Sequence, residues 1–112
     1  MINVHTLQKL ILNVEDGPVN LKNVLDILVT DGVLIENWER FHDSLGTPHP
    51  DFLRLKGSYR NGSEGIYATL KAVMSYWISE KGAAYANVGA LYKALKDVRL
   101  NRVAGTIYLV HT

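Results

Sequence analysis

Apolar residues recur along this chain at steps of three and four, the spacing that gathers them on one face of an α-helix. Leu21, Val24, Leu25 and Leu28 form the first stripe, with Asn20 ahead as an N-cap and Asp31-Gly32 behind as a stop. Leu34, Trp38, Phe41 and Leu45 form the second, opposite Glu36, Glu39, Arg40 and Asp43, and Gly46 ends it. Thr47-Pro48-His49-Pro50 cannot continue a helix, because each proline lacks an amide donor and restricts the residue before it. Asp51 caps a short third helix carrying Phe52, Leu53 and Leu55 and closed near Gly57. Asn61 and Glu64 have capping-box spacing for the longest helix, whose apolar face is Ile66, Leu70, Val73, Met74, Trp77 and Ile78 and whose end is Gly82. Asn87 caps a fifth stripe of Val88, Leu91, Ala94, Leu95 and Val98. After an interruption at Arg99 to Asn101, the residues Leu100, Val103, Ala104, Ile107 and Val110 make a sixth.

The two ends are less one-sided. Thr106-Ile107-Tyr108-Leu109-Val110 is strand by propensity alone, but a lone edge strand is unusual, so the tail is read as helix. Val4, Leu7, Leu10, Ile11 and Val14 also fit a helix, set apart from the rest by Glu15-Asp16-Gly17-Pro18. Residues 1–18 are therefore an N-terminal extension or an extra helix, and residues 19–112 one helical domain. Six amphipathic helices with short loops predict an all-α bundle with mostly antiparallel neighbours.

Three segments carry a closer resemblance. Asn37-Trp38-Glu39-Arg40-Phe41-His42-Asp43-Ser44-Leu45-Gly46 resembles the second helix of a death domain, in which a buried Trp and a Leu-Gly ending precede a Pro-containing loop. Leu70 to Gly82, with Trp77-Ile78 near its end, is similar to the fourth helix. Val88-Gly89-Ala90-Leu91-Tyr92-Lys93-Ala94-Leu95 is similar to the fifth, and Leu100-Asn101-Arg102-Val103-Ala104-Gly105-Thr106-Ile107 to the closing helix. The likeness runs from about Val19 to Val110. Phe41-His42 departs from the Leu-Ala the family often has there, and residues 1–18 have no counterpart in the minimal fold. The resemblance implies a six-helix antiparallel Greek-key bundle that associates with other death domains, or with a second copy of itself, in receptor, adaptor and kinase signalling assemblies of apoptosis and innate immunity.

Composition narrows the classes of function. With 112 residues, 47% hydrophobic and 21% charged, the chain reads as one ordinary globular domain with enough length for a single core. It has no Cys, which removes thiolate nucleophiles and Cys-ligated metal centres and favours a reducing compartment. No apolar run approaches the roughly 20 residues of a membrane span. The opening Met-Ile-Asn-Val-His-Thr lacks a basic n-region, so no signal peptide is expected and a cytoplasmic location is. Asn61-Gly62-Ser63 then reads as a turn rather than a glycosylation site.

Charge is divided along the chain. Residues 1–53 hold 3 Lys/Arg against 8 Asp/Glu, and residues 54–112 hold 9 against 3, so a net of +1 conceals halves of opposite sign. Either the halves occupy different faces, which would let domains meet plus to minus, or they interleave on a solvated surface. Lys93, Lys96, Arg99 and Arg102 form the basic candidate surface, and Asp31, Glu36, Glu39 and Asp43 the acidic one; together they suit a head-to-tail protein contact. Tyr59, Tyr76 and Tyr92 are further candidates for that surface.

Catalytic chemistry finds less support. Glu39 and His42 have the i, i+3 spacing of a metal or acid–base pair, but no second ligand pair completes a shell, and a solvated helix edge is the plainer reading of His42. No serine has a nucleophile-elbow setting, and Gly62-Ser63-Glu64-Gly65 is not a phosphate loop. Trp38 and Trp77 fall inside apolar stripes and belong to the core. A DNA-binding helical domain is the alternative, weakened by Asp97 within the basic stripe and a pI of about 8.0. The expectation is a non-enzymatic protein-interaction module with no cofactor, no metal, no nucleic acid and no membrane partner.

Overall fold

The computed structural model describes residues 17–110, and among them all regular structure is helical apart from one isolated β-bridge. The helices are α1 (Leu21–Leu28), α2 (Gly32–Glu36), α3 (Trp38–Ser44), α4 (Phe52–Tyr59), α5 (Ser63–Lys81), α6 (Val88–Asp97) and α7 (Asn101–Val110). The helix expected within residues 1–18 lies outside the described residues; of that segment, only Gly17 and Pro18 are described. Those two are tied down: Pro18 bridges Asn87, and the Gly17 carbonyl accepts from the Val88 amide at 3.1 Å.

Six stripes give seven helices among the described residues because the second is broken. Asp31 stops α1 and also starts α2, its Oδ1 accepting from the Leu34 amide at 2.8 Å. At Asn37 the side-chain Nδ2 donates to the Val33 carbonyl at 2.8 Å and the backbone leaves helical geometry, with φ −120° and ψ 25°. Asn competes in this way for backbone groups, which is why it disfavours helix interiors. The apolar spacing survives the break, so Leu34, Trp38, Phe41 and Leu45 all remain buried.

Two other boundaries differ from expectation. Helix α4 runs past Gly57 to Tyr59, whose ring stacks on Trp38 with centroids 4.8 Å apart and whose hydroxyl donates to the Ile35 carbonyl. These distant contacts override the weak helix propensity of Gly57. Its start lacks a side-chain cap; the Asp51 carboxylate accepts from Arg54 at 3.3 Å instead, while its amide donates to His49 Nδ1 at 3.0 Å. The Asn61–Glu64 capping box is also not formed. Gly62, at φ 86°, occupies the cap position of α5 and turns the chain so that Gly65 meets Ser58, where a Cβ on Gly65 would stand 2.1 Å from the Ser58 carbonyl oxygen.

The helices pair in a nested order. The first, α1, packs on the last, α7, and also on α5; α3 packs on α6, α4 on α5, and α6 on α7. Between them lies one core containing Leu25, Leu28, Phe41, Met74, Leu95 and Ile107, with Trp38 and Trp77 also buried as the sequence implies. Leu53 and Val110, counted in apolar stripes, are instead 82% and 50% exposed, because Leu53 stands off the buried face of α4 and Val110 closes the last turn of α7.

Candidate functional site

The eight charged candidates fall into two groups. Asp31 and Glu36 stand at the two ends of α2, Arg99 in the turn between α6 and α7, and Arg102 in the first turn of α7. All four line one groove of about 540 Å³, together with Thr30, Val33 and Thr106. Two carboxylates of the acidic half and two guanidiniums of the basic half therefore meet at this groove. Among the described residues, no ion pair links the four charges across it.

The other four lie on helices that pack together, Glu39 and Asp43 on α3 and Lys93 and Lys96 on α6. Glu39 pairs with Lys56 of α4 at 3.4 Å. Asp43 accepts from His42 Nδ1 at 3.0 Å and is otherwise exposed. Lys93 and Lys96 are exposed, and the Lys96 ammonium stands 5.8 Å from the Tyr92 ring centroid, within reach of a cation–π attraction.

The turn holding Arg99 has a definite cause. Arg99 adopts φ 64°, its amide donates to the Lys96 carbonyl at 3.0 Å, and the Leu100 amide donates to the Leu95 carbonyl at 2.9 Å. These two bonds form the Schellman closure of a helix, in which glycine normally takes the left-handed position. Here that position carries a guanidinium, which places the charge at the groove.

His42 is not on a solvated edge. It is 3% exposed, stacked on Phe52 with centroids 4.4 Å apart, and its Nε2 accepts the His49 amide at 3.0 Å. With Nδ1–H donating to Asp43, the neutral imidazole spends both nitrogens. Glu39 is turned toward Lys56, so the suggested Glu39–His42 metal pair does not form. The Asp43–His42 pair resembles part of a catalytic triad, but Nε2 faces a backbone amide and not a nucleophile. The sequence does carry a sign of His42's burial: it lies four residues after Trp38 and so shares its helix face.

The tyrosines divide as well. Tyr59 is half-buried against Trp38, and burial raises its phenol pKa above the usual 10.0. Tyr76 packs on His49, and Tyr92 on Tyr108, each partly exposed. Among the described residues, no cluster of three or more His, Cys, Asp or Glu side chains could hold a metal ion, and no helix is long and apolar enough to cross a membrane.

No protein-family model matches the chain, and neither does any curated protein or solved structure, so the fold and the placement of these residues are what bear on its function.

Proposed function

We propose that the chain is a death-domain-type module, non-enzymatic and cytoplasmic, that recruits other domains of its own kind through charged surfaces. The nested helix pairing carries the reading. Taking α2 and α3 as the broken second helix, the first helix packs on both the fourth and the sixth and the second on the fifth, beside the sequential pairs of third with fourth and fifth with sixth. The three non-sequential packings suit a six-helix Greek-key bundle better than an up-and-down bundle built on sequential pairs alone. Trp38 and Trp77 are both buried in the core, as this reading requires. The apolar stripes are thereby largely spent inside, which leaves charged rims as the means of recognition.

Glu39 and Asp43 on α3, facing Lys93 and Lys96 of another domain, supply one such contact, and the partner is another death domain or a second copy of this chain. Light-scattering mass against concentration, at low and moderate salt, tests it. Mass that grows with concentration and is suppressed by salt supports the reading. Glu39→Lys and Lys96→Glu should each weaken assembly with little change in melting temperature, and the double reversal should partly restore it. A mass that none of these changes alters would overturn this contact.

A further inference from the structure

The groove that gathers Asp31, Glu36, Arg99 and Arg102 is a separate surface from the α3 and α6 patches. One wall, from the α1–α2 turn and α2, carries the two carboxylates. The other, from the α6–α7 turn and the start of α7, carries the two guanidiniums. Among the described residues no ion pair links the charges across the groove, and Val33, on the acidic wall, is 59% exposed. Arg99 holds a left-handed backbone conformation that is strained for an L-residue with a side chain.

We propose that this groove receives a second copy of the chain, related by a twofold axis lying along the groove. The geometry follows from the two walls. A rotation of 180° about an axis along the groove turns each acidic wall onto the other copy's basic wall, so both halves of the contact are complementary at once. An axis across the groove would set acid on acid. Val33, exposed on the acidic wall, adds an apolar contact against the other copy's basic wall. Such a contact is isologous and closes at two copies, whereas the head-to-tail contact of the α3 and α6 patches can extend. This inference rests on the reading of the chain as a homotypic module and names one of its partners.

The test is run on a chain carrying Lys93→Glu and Lys96→Glu, in which the α3–α6 contact loses both its cations, so that the two proposals fail separately. Its mass by sedimentation equilibrium should rise with concentration to twice the monomer mass and stop there. Adding Glu36→Arg or Arg102→Glu should weaken that dimer at least about tenfold each, because symmetry makes every reversal strike the interface twice. An equimolar mixture of the two reversed chains, in which the two reversals oppose each other across one half of the contact while the other half keeps its parent charges, should recover the dimer. Circular dichroism melts of each chain show whether it is folded, and Glu36→Gln with Arg102→Gln serves as a milder pair if a reversal is not. A monomer at every concentration, growth beyond two copies, or a dimer indifferent to both reversals would each overturn the proposal. Growth beyond two would still leave homotypic assembly standing.

Discussion

The amide of His49 donates to Nε2 of His42 at 3.0 Å, joining the Pro48-His49-Pro50 loop to a buried imidazole of α3. The loop has few ways to anchor itself, since neither proline has an amide to donate. His42 supplies the acceptor because its other nitrogen is committed as a donor to Asp43. His42→Phe keeps an aromatic ring against Phe52 but leaves the His49 amide without its acceptor. A loss of about 1–3 kcal/mol is expected, the cost of an unsatisfied partly buried donor. Urea denaturation measures it, and an unchanged midpoint would mean that the bond contributes nothing.

Gly65 and Ser58 set the distance between α4 and α5. A methyl at Gly65 would stand 2.1 Å from the Ser58 carbonyl oxygen, which is backbone and cannot swing away. In a helix interior Gly→Ala normally gains roughly 1 kcal/mol. Here separation of the helices should outweigh that gain, giving a net loss of about 1–3 kcal/mol. Gly105, in α7 with nothing within 4 Å of its would-be Cβ, is the internal control, and Gly105→Ala should stabilise by about 0.5–1 kcal/mol. Thermal melts that place the two variants on the same side of the parent would contradict this account.

The contrast between these glycines shows what is legible in sequence. Apolar spacing placed Trp38, Phe41, Leu70, Leu95 and Ile107 in the core, because burial depends on which residues share a helix face. It could not distinguish Gly65 from Gly105, since what separates them is another helix's backbone. The break at Asn37 was hidden because a helix can bend there without disturbing the four-residue step from Leu34 to Trp38. The packing of Tyr59 was not legible because its partners, Trp38 and the Ile35 carbonyl, are more than twenty residues away. The charged candidates were readable one by one, but the shared groove was not: Glu36 and Arg99 are brought together only by the packing of α1 on α7.

Tyr59 gives the fold an alkaline dependence whose sign follows from burial. Its native pKa is raised because the phenolate is disfavoured beside Trp38. The unfolded chain therefore loses this proton first as pH rises. The resulting stability is present in full below the unfolded value of about 10 and is lost as pH climbs through the native value. Tyr59→Phe should be less stable at neutral pH by about 0.5–1.5 kcal/mol, through the lost bond to Ile35. It should also decline less steeply than the parent between about pH 9 and about pH 11. Parallel declines in denaturant titrations across that range would remove Tyr59 as the source.

Arg99 sets stability against association at a single position. Its φ of 64° belongs to the left-handed region that glycine enters without strain, and the two Schellman bonds of the turn use only backbone atoms. Arg99→Gly keeps both bonds, relieves the Cβ strain and removes one guanidinium from the groove. Its unfolding free energy should rise by up to about 1 kcal/mol, after the greater entropy of an unfolded glycine is set against the relief. If the guanidinium is what the strained turn serves, salt-sensitive dimerisation should weaken in the same variant. Arg99→Ala separates the two effects, since it loses the charge but keeps the strain: its dimer should weaken as much, with no gain in melting temperature. A glycine variant that is more stable and dimerises as well as the parent would leave the strain at Arg99 without a functional return, and Arg102 alone would then carry the basic wall.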